Sequence, residues 1–283
     1  MTAAIETNGL GKRYGTKWAL SDCTLEIPAG SVTALVGPNG AGKTTLLHLA
    51  VGLSGPTVGA VRVLGEAPRD VLARIGFVAQ DHPLHRGFTI GDTLELGRRL
   101  NPTWDGETAL RRIERLGLPL DQKVGKLSGG QQSQVALTLA LAKRPELLIL
   151  DEPVASLDPL ARREFMSTVM QEVAETGMTV LLSSHIVADL ERVCDHIVIL
   201  SHSRTVLSAP IDDVVSSHRI LTGPRNDPDA VARAHSVIRE RHTERQTQLL
   251  VRANGHVYDA CWELHEVDLE EIVLAYLETS VLA

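Results

Sequence analysis

Aromatic residues are scarce in this chain: three Trp, three Tyr and three Phe, 3% of 283 residues. The core must therefore be aliphatic. Cysteine is scarce as well. Cys23, Cys194 and Cys261 stand alone, with neither metal-ligand spacing nor the density of a disulfide framework, so a reducing cytosol is the expected home. No uninterrupted apolar run is long enough to span a bilayer. Met1-Thr2-Ala3-Ala4-Ile5-Glu6 lacks the basic start and apolar stretch of a secretory leader. If such a chain serves membrane transport, another polypeptide has to supply the pathway. Cations are outnumbered too, 28 Lys and Arg against 35 Asp and Glu, for a net charge of −7. That balance argues against nucleic acid or an anionic membrane as the main partner.

What is present is an ordinary globular composition, 43% hydrophobic and 22% charged. The length accommodates one full α/β domain and something smaller. The most informative stretch is Gly37-Pro38-Asn39-Gly40-Ala41-Gly42-Lys43-Thr44-Thr45. It fits G-x-x-x-x-G-K-[ST], the loop that wraps nucleotide phosphates. Glycines let the backbone turn tightly and bring successive N–H groups onto the phosphates. In that pattern Lys43 reaches the β- and γ-phosphates and the Thr44 hydroxyl ligates Mg²⁺. Ser31–Val36 reads as a buried strand entering the loop. Thr45–Ala50 reads as the helix leaving it, its positive end facing the phosphates.

Residues 1–207 read as one nucleotide-binding domain. Strands are expected around Ala3–Thr7, Cys23–Ile27, Val58–Leu64 and Ile75–Ala79. A helical pattern covers 81–125, including Ile90–Leu96 and Leu110–Leu116. Strands at Leu147–Leu150, Thr179–Ser183 and His196–Leu200 then alternate with helices, which argues a mainly parallel sheet covered by helices. Residues 208–283 are expected to form a small α+β appendage. Ser201-His202-Ser203 and Ser208-Ala209-Pro210 resemble turns, and Thr222–Pro228 reads as a loop. Near the end, Asp268 and Glu271 suit a capping box. Leu269, Ile272, Val273, Tyr276 and Leu277 fall on one helical face, expected to pack on the appendage's own strands.

Two further segments carry chemistry. Leu147–Leu150 is an apolar strand running into Asp151 and Glu152. In phosphate-loop proteins the first acid holds Mg²⁺, usually through water. The second would sit beside the γ-phosphate, where Glu152 could orient or deprotonate the attacking water. Leu127-Ser128-Gly129-Gly130-Gln131 precedes an apolar helix, Val135–Ala142. Ser128 and the glycines can offer a hydroxyl and bare N–H groups at a helix N-terminus, a second anion site. Within one chain that site is redundant with the first loop.

Over about residues 3–210, the order and spacing of these elements resemble the ATP-binding subunits of ABC transporters. The resemblance implies a P-loop α/β fold with an N-terminal antiparallel β subdomain, a helical insertion and here a C-terminal α+β appendage. It implies ATP and Mg²⁺ as cofactors. It also implies that Ser128, Gly129, Gly130 and Gln131 meet the γ-phosphate of a nucleotide held by a second ATP-binding subunit, identical or not, stacked head to tail. Tyr14 matches the aromatic residue that stacks on adenine. Gln80 matches the Gln that senses Mg²⁺ and the water. Asp158, in Ala155-Ser156-Leu157-Asp158-Pro159, matches the loop crossing the dimer interface, and His185 the switch histidine at the γ-phosphate. The insertion corresponds to the part that docks on a separate transmembrane permease, which would hold the subunit at the inner face of the cell membrane. Gln134 departs from the pattern, because many relatives carry a basic residue there. A change of local pairing is expected rather than loss of hydrolysis. The compact insertion and the Leu269–Leu277 helix resemble the exporter branch. An importer subunit, or a soluble ATPase acting on ribosomes or DNA, is the alternative.

Overall fold

The computed structural model describes residues 2–155, 157–185, 187, 190–225, 235–243, 245–253 and 262–279. Cys261, Ser156 and Asn226–Pro228 lie outside them. The chain opens with β1 (Ala3–Tyr14), β2 (Lys17–Pro28), β3 (Val32–Val36), α1 (Lys43–Ala50), β4 (Val58–Val63) and β5 (Ile75–Val78). Helices α2 (Ile90–Leu100), α3 (Gly106–Arg115) and α4 (Gly129–Leu141) follow, then β6 (Leu147–Leu150), α5 (Pro159–Thr176) and β7 (Thr179–Ser184). The remainder is β8 (His196–Ser201), β9 (Arg204–Pro210), α6 (Ile211–Ser217), β10 (His218–Pro224), β11 (Ser236–His242), β12 (Gln246–Arg252), β13 (Glu263–His265) and α7 (Leu269–Thr279).

The central sheet has six strands in the order β5-β6-β7-β3-β8-β9. Its pairs are parallel except β8 with β9. Strands buried on both faces read as continuous apolar runs, which is why Leu147–Leu150 carries no polar residue. The period of two sends alternate side chains to opposite faces. Val32, Ala34, Leu148, Leu150, Val180 and Leu182 face α4 and α5. Leu35, Leu147, Ile149, Leu181 and Val198 face α1 and the inward side of β1 and β2. A separate antiparallel sheet, β2-β1-β4, caps the second face. Burying each such Leu, Ile or Val contributes roughly 1.5–3 kcal/mol, so these faces outweigh local propensity. A third cluster, including Ile90, Ile113, Leu118 and Val135, holds the insertion together.

The appendage is a four-stranded antiparallel sheet, β11-β12-β10-β13, with α7 against it. Three local expectations change here. Ser208–Pro210 is the end of β9 rather than a turn, with Ala209 opposite Ile197 and Pro210 opposite His196. Proline is tolerated because it closes an edge strand and caps α6. Thr222–Pro224 is strand rather than loop, because Gly223 lets Trp262 pack directly on the backbone where a Cβ would collide with its ring. Helix α7 touches more than the appendage's strands. Its buried Leu269, Ile272, Val273 and Ala275 share one core with Ile197 and Ile199 of β8, and with Ile220 and Leu250 of the appendage. The stripe is wide enough to meet both surfaces, so the helix seals the appendage to the main domain. Asp268 accepts the Glu271 N–H at 2.8 Å as a cap should. The Glu271 side chain pairs with Arg239 at 2.7 Å. Among the described residues, no helix is long and apolar enough to cross a membrane.

Candidate nucleotide site

The site grows from the C-terminal ends of β3, β6 and β7. After β3 the chain turns at Gly37, which is buried. A Cβ there would run into the Leu200 carbonyl. Gly42 sits at φ 107°, and a Cβ there would meet the Ala19 carbonyl and the Leu20 side chain. These two sterically required glycines curl the loop and start α1. Gly42 offers no side-chain cap, so the first N–H groups of the helix point into the loop without an internal partner.

Lys43 is 6% exposed. Its Nζ donates to the Gly37 carbonyl at 2.7 Å and lies 3.4 Å from Glu152 Oε1. The other carboxylate oxygen of Glu152 is 3.3 Å from His185 Nδ1. Lys43, Glu152 and His185, brought from α1 and from beyond the ends of β6 and β7, thus form one chain of polar contacts. Asp151 is buried, and its N–H donates to the Val78 carbonyl at 2.9 Å, tying β6 to β5. Glu152 adopts φ 45°, the left-handed region that non-glycine residues rarely enter.

Tyr14, Asn39, Gly40, Gly42, Lys43, Thr44, Thr45, Gln80 and Glu152 line one cavity of about 580 Å³. Pro38 lies beside it in the exposed turn of the loop, while Ala41 is buried. Lys17 and Ala19 line it too; sequence reasoning had no signal for either, since both lie in the strand beside Tyr14. Ser128, Gly129, Gly130, Gln131 and Asp158 line a different cavity of about 450 Å³. The two share no lining residue. At the second, Ser128 Oγ accepts the Gln131 N–H at 3.2 Å, and Gln131 Oε1 accepts the Ser128 N–H at 2.9 Å. Asp158 caps α5, accepting the N–H groups of Leu160 and Ala161.

The first cavity fits a nucleoside triphosphate. A curled loop at a helix N-terminus, a buried ammonium and a flanking Tyr supply donors, charge and a ring face. Among the oxygen-bearing side chains, the exposed Thr44 and Gln80 line the cavity, and Asp151 is buried just beyond the end of β6. Hard oxygen ligands in small number suit Mg²⁺, which keeps several waters and phosphate oxygens.

Gln134 is buried and lines the second cavity. A cation reaches the next turn of α4: Arg112 of α3, for which the sequence offered no signal, bonds Thr138, whose hydroxyl donates to the Gln134 carbonyl. Arg112 Nη1 is 3.3 Å from Glu172 of α5 and its Nε donates to Thr138 Oγ1 at 3.4 Å, one turn along α4 from Gln134. Burial lowers the pKa of Arg112.

The sheet order, the curled loop and the acidic pair beyond β6 define a P-loop ATPase of the ATP-binding cassette class. Comparison with known proteins agrees. Residues 20–155 match the ABC transporter family. Nod factor export ATP-binding protein I of Rhizobium johnstonii is 38% identical over 212 residues, 72% of this chain and 68% of that protein. Phosphonates import ATP-binding protein PhnC of Thiobacillus denitrificans is 35% identical over 223 residues, 72% and 86% of the two chains. Among solved structures, an ATP-binding subunit of an ABC transporter superposes with a TM-score of 0.68 at 29% identity, covering 76% of this chain and 92% of that one. A dimeric post-hydrolysis cassette bound to ADP and Pi gives 0.66 at 25% identity, covering 73% and 98%. The chain belongs to the ABC transporter family, as an ATP-binding and ATP-hydrolysing subunit.

Proposed function

We propose that the chain energises an exporter, hydrolysing Mg²⁺–ATP in composite sites shared with a second ATP-binding subunit and driving a separate transmembrane protein. One observation carries the composite site. Of the residues matching the family's nucleotide contacts, those that line a cavity fall in two cavities with no common lining residue. The first supplies Lys43, Thr44 and the loop amides. The second supplies Ser128 and its glycines, for the nucleotide held by the other subunit. Thr44, Gln80 and Asp151 would hold Mg²⁺, which neutralises charge on the phosphates when bound.

Lys43 would exchange its contact with Glu152 for phosphate oxygens, freeing that carboxylate to orient a water and accept its proton. His185, 52% exposed, is able to swing between Glu152 and the terminal phosphate. Tyr14, 53% exposed, offers its face to adenine. Catalysis is positional and electrostatic. On the insertion, Trp104, Leu94, Ala109, Leu110 and Leu120 line an apolar groove of about 240 Å³. Leu110 and Leu120 are half-exposed, which supports this face as the one that docks on the permease and holds the subunit at the inner membrane face.

Nod factor export, the activity of the Rhizobium johnstonii relative, supports export. The phosphonate import relative favours the second reading, an importer subunit. A mixing experiment tests the composite site. Lys43→Ala and Ser128→Arg should each abolish turnover, and their mixture should recover part of it through the one intact site of the mixed dimer. A dead mixture of well-folded, ATP-binding chains would overturn the shared site. Vesicles carrying the copurified membrane partner should move cargo away from the face bearing this subunit; movement toward it would assign an importer.

A further inference from the structure

We propose that Ser183 is a positioning residue for ATP hydrolysis, holding Asp151 and Glu152 in fixed relation through a single hydroxyl. The inference rests on Glu152 being the group that orients the attacking water. Ser183 is fully buried on β7, where the register pairs Leu182 with Leu150 of β6. One residue further along, the Ser183 hydroxyl reaches both acids. Its Oγ accepts the Glu152 backbone N–H at 2.7 Å and its O–H donates to Asp151 Oδ1 at 2.8 Å.

The direction of these bonds is fixed. A backbone N–H only donates, so Oγ is the acceptor and its one proton goes to Asp151. The hydroxyl therefore fixes one oxygen of the Asp151 carboxylate while it accepts from the backbone of the next residue. At the same time it fastens Glu152 at φ 45°. That backbone turn returns the Glu152 side chain to Lys43 and His185, 3.4 and 3.3 Å away. Without the acceptor, the Glu152 N–H and a buried Asp151 oxygen both lose a partner, and the backbone is released toward extended conformations. The carboxylate then leaves Lys43 and His185 together. Ser183 also stands two residues before His185, which follows directly on β7, so one strand end delivers both groups.

The test compares Ser183→Ala with Ser183→Thr in the full chain. Two quantities are read: steady-state phosphate release, and amide hydrogen exchange at Glu152 in the nucleotide-free protein. For Ser183→Ala, kcat should fall about 10–100-fold while KM for ATP stays within about threefold, since charge-assisted hydrogen bonds are lost only at the reacting end. Exchange at Glu152 should accelerate by about tenfold or more. Ser183→Thr, which keeps the hydroxyl, should restore both. Unchanged Glu152 protection in Ser183→Ala, or a Thr variant as impaired as the Ala variant, would overturn the proposal. If Ser183→Ala does not fold, Ser183→Cys keeps the shape with a weak acceptor and is held to the same two outcomes. Near-normal turnover of Glu152→Gln would instead remove the role of Glu152, while the exchange measurement would still report on Ser183.

Discussion

Helices α1 and α4 both have glycine at their N-terminal ends, and they start in different ways. Gly42 opens α1 in the left-handed region with no side-chain cap. Ser128 opens α4 from an extended conformation with a complete capping box to Gln131. At the first turn a buried Lys43 is linked to Glu152 and His185. At the second, Ser128, Gly129 and Gln131 are exposed. A helix start without a cap leaves donors for a ligand, whereas a capped one has satisfied part of its own need. The difference teaches that the first turn is built as a binding site in its own right. The second is capped and complete as it stands, and only in the proposed composite site does it meet a nucleotide, the one held by a neighbouring subunit.

The largest effect is expected at Glu152→Gln, which should lower phosphate release by about 10²–10⁴-fold, the usual contribution of a positioned general base. ATP binding should persist and the ATP-bound dimer should accumulate on gel filtration; near-normal turnover refutes the assignment. Next comes Gly42→Ala. Its φ of 107° and the crowding by Ala19 and Leu20 should cost about 1–3 kcal/mol and abolish binding of a fluorescent ATP analogue. Gly129→Ala is the matched control, because a Cβ there meets nothing. It should leave the melting temperature and nucleotide binding by the single subunit unchanged and reduce turnover only. Equal damage at both glycines would erase the distinction between the two turns. The smallest effect is expected at Ser128→Ala. Loss of the cap should cost about 1 kcal/mol, or roughly 2–4 °C in melting temperature, with ATP binding by the isolated subunit intact. A fall in that binding would mean that the second turn serves the nucleotide of its own chain.

Much of the site is legible without coordinates because it is local. Gly37–Thr45 and Leu127–Gln131 are contiguous, and their spacing follows from what a tight turn before a helix requires. The acids after Leu147–Leu150 are legible for the same reason: an apolar strand must end where charge begins. Arg112 is not legible. It reaches Glu172 and Thr138 across three helices, and nothing in its own neighbourhood marks it as buried. Ser183 is hidden in the same way, inside a run that reads only as a strand. Ser208–Pro210 looks like a turn, and Thr222–Pro224 like part of a loop, because their residue types favour irregular structure. Pairing along β9 and β10, and the seat of Trp262 on Gly223, override that preference.

The sequence alone determined the phosphate loop, the acidic pair, the Ser128–Gln131 segment at a helix start and the alternation of strands and helices, since each depends on neighbours a few residues apart; it read bare N–H groups at Ser128, where the structure has a capping box. Tertiary structure decided what those pieces form together. It set the phosphate-loop residues and the Ser128–Gln131 residues in separate cavities, and it linked Asp151, Glu152 and Ser183 through one hydroxyl. It also used α7 to seal the appendage onto β8. Each of these depends on strand order and on which faces share a core. Those choices are made by the burial of apolar surface over the whole chain, not by any segment within it.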